Sequence, residues 1–176
     1  MSTAPADTTD APIDALRSAL ARLTDPEIPV ITLEEMGILR DVRRGSDGQP
    51  EVVITPTYSG CPAMGQIEDD VRAVLQETHP RGRVITQLAP AWTTDWMSDT
   101  AREKLRAYGI APPRCTTAPP PGVLRFSRQA VTAEAIACPQ CGSHNTTETS
   151  PFGSTACKAL YRCLDCLEPF DYFKPY

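Results

Sequence analysis

Apolar residues recur at helical spacing in three stretches of this 176-residue chain. Ile13, Leu16, Leu20 and Leu23 stand three and four apart and predict a helix over 12–23. Pro12 suits its first turn, where a missing N–H costs no helical bond. Ile67, Val71, Val74 and Leu75 mark one face of a second helix over 62–78. A third is capped by Ser98, runs to Tyr108 and stops at Gly109. Strands are predicted at 37–44, where Ile38 and Val42 stand among polar residues, at 51–55 and at 84–88. The turn Gly45-Ser46-Asp47-Gly48 makes the first two a hairpin. The order α-β-β-α-β-α describes a small α+β domain with helices packed on one three-stranded sheet. Within the intervening loop 90–97, Trp92 and Trp96 suit core or rim better than a binding face.

The pattern breaks in three places. Residues 1–11 are polar and acidic, and disorder is expected there. In Thr24-Asp25-Pro26-Glu27-Ile28-Pro29-Val30 two prolines fix φ and forbid helix. A rigid loop with two carboxylates, Asp25 and Glu27, could hold a metal or orient a thiol. More often such a loop is a turn whose Asp bonds its own backbone. Five prolines crowd residues 111–122, which leaves an extended, stiff connector. This divides the chain into a domain over 12–110, a linker over 111–137 and a tail over 138–176. Val123–Phe126 alternates briefly, as a short strand would.

The tail carries the strongest chemistry. Cys138-Pro139-Gln140-Cys141 and Cys163-Leu164-Asp165-Cys166 are separated by 21 residues. Each pair can sit on a tight turn that aims two sulfurs at one ion, and Gly142 can take a positive φ after the first pair. The tail has few large aliphatics, Leu160, Leu164 and Leu167, beside Phe152, Tyr161, Phe170, Tyr172 and Phe173. So short a piece buries too little surface to fold unaided, and a metal would supply the missing free energy. Four thiolates close the coordination shell, which makes the ion structural: a zinc-ribbon-like β domain. An iron–sulfur cluster could use the same ligands. His144 could replace one thiolate.

Charge and compartment narrow the choices. The net charge of −5, without a long run of either sign, argues against nucleic acid and anionic membranes as partners. No apolar run approaches the roughly 18 residues of a membrane span. The first residues do not read as an export signal. Seven cysteines then fit reduced thiols and a cytoplasmic location better than disulfides. Cys61, after a strand and a loop and before Pro62, is expected at a helix N-terminus, where free N–H groups and the dipole favour a thiolate. The other reading is a small buried hydrophobe in a strand–helix corner. Cys115 reads as an incidental thiol of the connector, and His79 as the end of a helix. No Ser–His–Asp set, phosphate-binding glycine loop or pair of catalytic acids is present.

Asp25-Pro26-Glu27-Ile28-Pro29, Met36-Gly37-Ile38 and Thr55-Pro56-Thr57-Tyr58-Ser59-Gly60-Cys61-Pro62 resemble the small domain of iron–sulfur cluster assembly factors. Followed by Trp92-Thr93-Thr94-Asp95-Trp96, Arg102-Glu103-Lys104-Leu105 and a tail like the segment Phe152–Cys163, they resemble the D-subunit family of the bacterial phenylacetyl-CoA epoxidase. The resemblance spans about residues 12–113 and 138–174. It implies a cytoplasmic accessory protein of phenylacetate catabolism and aromatic degradation, not the oxygenase itself. Its clients would be the iron–sulfur reductase subunit or the di-iron oxygenase subunits, whose metal centres it helps to mature. Dimerisation is left open. Cys61 matches the family's reactive cysteine, and Asp25 and Glu27 its acidic loop. Cys138, Cys141, Cys163 and Cys166 match the tail's metal ligands, with Cys157 as an alternative ligand or transfer thiol. Relatives often carry a further cysteine after a Phe-Lys pair, where this chain has Pro175. That favours the closed four-cysteine site. A thiol enzyme built on Cys61 and a zinc-ribbon interaction module are the competing readings.

Overall fold

The computed structural model describes residues 11–114 and 136–176. The expected disorder of the N-terminus, the strand at Val123–Phe126 and the exposure of Cys115 fall outside the described residues. The chain divides into two compact units after Trp92.

The first unit opens with α1, Ala11–Leu20, which puts Pro12 in its first turn as expected. It ends three residues before the predicted Leu23. There Leu23 N–H bonds Leu20 O at 3.0 Å, and the chain turns into the proline loop. β1 (Leu39–Arg44) and β2 (Pro50–Ile54) form the expected antiparallel hairpin, with an irregularity between Leu39 and Asp41. α2 (Met64–Thr78) carries the chain to β3 (Arg83–Thr86), which lies parallel to β2, so the sheet order is β1-β2-β3. β2 is the central strand and the most apolar one, with Val52, Val53 and Ile54 buried. α1 packs on α2 and β1, and α2 on β3. Leu16, Leu20, Ile67, Val71 and Leu75, read from the sequence as core faces, are all buried. Trp92 is buried too and donates its indole N–H to Met36 O at 3.2 Å, a core anchor.

The second unit starts with a 3-10 turn, Thr94–Trp96, and α3, Asp99–Ala107. Ser98 caps α3 by accepting Ala101 N–H at 3.0 Å. Gly109, at φ +90, takes the left-handed position just past the end, as its sequence position suggests. Here the structure departs from the division at residue 111. The two residues of β4 (Ile110–Ala111) pair parallel with β7 (Pro169–Phe173) and join the ribbon sheet. The rest of that sheet is β5 (Thr146–Ser150) and β6 (Lys158–Cys163), in the order β4-β7-β6-β5. α3 packs against β4, so both elements belong with the ribbon. The prolines at 112 and 113 follow this pairing, and composition marks the chain after it has already joined the second sheet. A small core of Ala111, Cys138, Ala159, Cys163, Phe170 and Tyr172 lies beneath the four strands.

Candidate metal centre and thiol site

Two turns build the metal centre. In the first, Gly142 N–H bonds Cys138 O at 2.9 Å and Cys138 N–H bonds Ser143 O at 2.8 Å. Gly142 stands at φ +76, the conformation that its place after the first pair predicts. In the second, at the end of β6, Cys163 N–H bonds Glu168 O at 3.0 Å, and Leu167 occupies the matching left-handed place at φ +67. Asp165 ties the turns together: its carboxylate accepts from the Ser143 hydroxyl and, at 2.7 Å, from the Asn145 amide. Leu164 N–H adds a bond to Asn145 O at 2.8 Å.

The sulfurs of Cys138, Cys141, Cys163 and Cys166 all lie within 4.8 Å of one another. Cys138 and Cys166 approach to 3.8 Å, Cys141 and Cys163 to 3.6 Å. A tetrahedral ion with bonds of about 2.3 Å to sulfur sets its ligands about 3.8 Å apart. The donor set therefore fits a single ion. Cys138 and Cys163 are buried, Cys166 is half-buried and Cys141 is exposed. The Cys166 and Asp165 N–H groups hold the Cys163 thiol down at about 7. Cys166 is driven up to about 12, because burial and the three facing thiols outweigh the Glu168 N–H that bonds it. Four crowded sulfurs thus oppose one another until a cation neutralises them.

The second candidate lies in the first unit. Asp25 is buried, and its Oδ1 accepts the N–H groups of Glu27 at 2.8 Å and Ile28 at 2.9 Å. Asp25 N–H bonds Ile31 O at 2.9 Å. The self-bonded turn, one of the two readings of this loop, is therefore present. The negative charges of Glu27 and Asp25 in this loop are felt at the Cys61 thiol. The helix-terminus expectation fails here. α2 begins at Met64, and Cys61 sits on the turn before it, its carbonyl accepting Met64 N–H at 3.3 Å. The half-buried thiol is pushed up, first by burial and then by the two carboxylates. Bonds from Ala63 N–H and the Thr57 hydroxyl only partly offset this. The surroundings of Cys61 thus favour the thiol over the thiolate. Alkylation by iodoacetamide, followed by mass spectrometry, is expected to be slower at Cys61 than at free cysteine at pH 7. The rate should still be rising near pH ~10, where free cysteine levels off. Asp25→Asn should speed it.

A family model described as PaaD zinc beta ribbon domain matches residues 125–174, and one described as iron-sulfur cluster assembly protein matches residues 13–86. The chain is 47% identical over 159 residues to an Escherichia coli (strain K12) protein described as the D subunit of a 1,2-phenylacetyl-CoA epoxidase. That alignment covers 88% of both chains. The chain belongs to the D-subunit family of the phenylacetyl-CoA epoxidase. A shorter similarity, 35% identity over 88 residues, links it to the "Fe-S protein maturation auxiliary factor" of Porphyromonas gingivalis. This covers 49% of the chain and 83% of that protein. A solved domain of unknown function from Bacillus anthracis superimposes with a TM-score of 0.48 at 29% identity, over 55% of the chain and 92% of the domain.

The geometry sorts the remaining cysteines and histidines of this family member. Cys157 is buried against Thr155, their side chains 2.9 Å apart. It precedes β6, whose other end is Cys163, about 20 Å away along the strand. Cys157 is outside the tetrad, and so is His144. His79 caps the end of α2, its N–H bonding Leu75 O at 2.6 Å. Sequence reading missed Asp165, Ser143 and Asn145 as the clasp between the turns, and Thr57 as a partner of Cys61. The Asp inside the second Cys-x-x-Cys was the one visible signal of the clasp. No helix among the described residues is long and apolar enough to cross a membrane.

Proposed function

We propose that this chain is an accessory maturation factor for a multicomponent phenylacetyl-CoA epoxidase, assisting assembly of an iron–sulfur or di-iron centre in a partner subunit. The observation that carries this reading is the pairing in one chain of an assembly-type domain with a ribbon tetrad. In the first, the charges of Asp25 and Glu27 reach Cys61. In the second, the sulfurs suit one ion. The ion is zinc, held by Cys138, Cys141, Cys163 and Cys166, and its work is structural. A cluster would spread the thiolates over several irons and wants them further apart than 3.6–3.8 Å. Cys61 handles iron or sulfur in transit as the soft donor of its unit, and Asp25 and Glu27 supply the negative charge that reaches it. The raised thiol suits transient handling, because in its protonated form it resists oxidation and it gives up its proton when a cation arrives. The same feature weighs against a thiol enzyme, which needs an activated thiolate.

Co-expression of the epoxidase subunits with wild-type chain, with Cys61→Ser or with neither tests the reading. Cys61→Ser is expected to reduce iron in the purified partner subunits, and epoxidation with it, to the level found without the factor. Its own zinc content and melting temperature should stay unchanged. Full iron loading with the serine variant would overturn the role of Cys61. Full loading in the absence of the chain would overturn the maturation role itself.

A further inference from the structure

The second metal-binding turn displays two leucines that its own fold does not use. Leu164 is 48% exposed and Leu167 59%, and neither belongs to the small core beneath. Leu167 also stands at φ +67, in the left-handed region that a side chain with a Cβ disfavours. The matching residue of the first turn, directly after Cys141, is Gly142 at φ +76. A glycine at 167 would therefore serve the turn without strain and without an exposed apolar group. The surrounding backbone is pinned: Arg162 Nε donates to Leu167 O at 3.4 Å, and Cys163 N–H to Glu168 O at 3.0 Å. The leucine side chain is held outward on a rigid turn. Backbone strain kept at a displayed apolar residue is a mark of use.

Charge decides what covers it. Asp165 and Glu168 are exposed on the same turn, against Arg162 as the cation there. Four thiolates around a divalent ion add a net charge of about −2 directly behind them. An anionic membrane or a nucleic acid would meet repulsion at this face. We propose that the second turn is a docking surface for a protein that offers an apolar groove rimmed by lysine or arginine. Leu164 and Leu167 enter the groove, and Asp165 and Glu168 meet its rim. This rests on the accessory role proposed above and names its binding surface, the partner being a subunit of the epoxidase.

The zinc-loaded full chain is titrated calorimetrically with each purified epoxidase subunit at low and high salt. Leu167→Gly alone and together with Leu164→Ser are titrated alongside. One subunit is expected to bind the wild type, more weakly at high salt. Leu167→Gly keeps its metal and melts at the same or a higher temperature, since the strain is relieved. Its affinity falls about tenfold or more, as loss of an interface anchor does. Undiminished affinity in both variants overturns the docking surface and leaves the accessory role standing. Weaker binding that comes with metal loss in Leu167→Gly overturns it too, because the turn then needs the leucine for itself. If the wild type binds no subunit, this inference and the epoxidase reading fall together. Self-association that Leu167→Gly abolishes, without affinity for any subunit, makes a second copy the occupant and overturns the basic-rimmed partner.

Discussion

A Cys163→Ser chain is expected to lose its metal ion and, with it, the ordered ribbon. Cys163 is fully buried at the end of β6 and sits in the small core as well as in the tetrad. Structural zinc in comparable small domains contributes about 10–16 kcal/mol of apparent binding free energy at neutral pH. The cluster around Cys163, three aliphatic or thiol side chains and two aromatics around Ala111, is too small to replace a term of that size. Three remaining thiolates and a buried hydroxyl bind an ion far more weakly, and the facing sulfurs then repel one another. Metal analysis should find zinc near stoichiometric in the wild type and nearly absent in the variant. Limited proteolysis should cut quickly between 146 and 173 in the variant, and equally in wild type stripped by a chelator. A protease-resistant ribbon without metal would show that its aromatic residues suffice alone.

The second large effect is expected in the other unit. Ile67→Ala removes a side chain that α2 buries completely. Such truncations cost about 2–5 kcal/mol, depending on how far the cavity relaxes. Against a typical total of about 5–15 kcal/mol, this is a large share of the unit's stability. Urea unfolding followed by far-ultraviolet circular dichroism should show an earlier midpoint with little change in slope. Zinc content should stay near stoichiometric, because no ligand lies in that unit. A loss of stability below about 1 kcal/mol would mean that the site collapses around the smaller residue.

The contrast between these sites shows what the sequence carried. The faces of α1 and α2 were legible because burial at a period near 3.6 leaves its mark on every turn of a helix. The hairpin was legible from Gly45 to Gly48, since turn chemistry is local. The clustering of Cys138, Cys141, Cys163 and Cys166 was legible because two tight turns impose their spacing on the residues themselves. What escaped is what depends on distant partners. β4 is two residues long and owes its existence to β7, some sixty positions on, so no pattern within 110–111 announces it. The turn before α2 put Cys61 short of the helix terminus, and its thiol is governed first by burial, to which Asp25 and Glu27, more than thirty residues earlier, add. Helix ends were missed for a related reason. Leu23 fits the periodicity of α1, yet the proline loop behind it draws the chain away first.

The strand order of the second sheet has a bearing on how the protein is made. β7 lies inside the sheet, between β4 and β6, although it is synthesised last of the four. All four thiols leave the ribosome before it does. A chain that has yet to dock β7 can therefore hold both halves of the metal site while the place between β4 and β6 is still empty. Until β7 arrives, β6 presents an open edge beside an apolar surface, the arrangement from which strands pair wrongly between chains. Scarce metal at this step would be felt as aggregation of newly made protein, with the finished molecule unaffected.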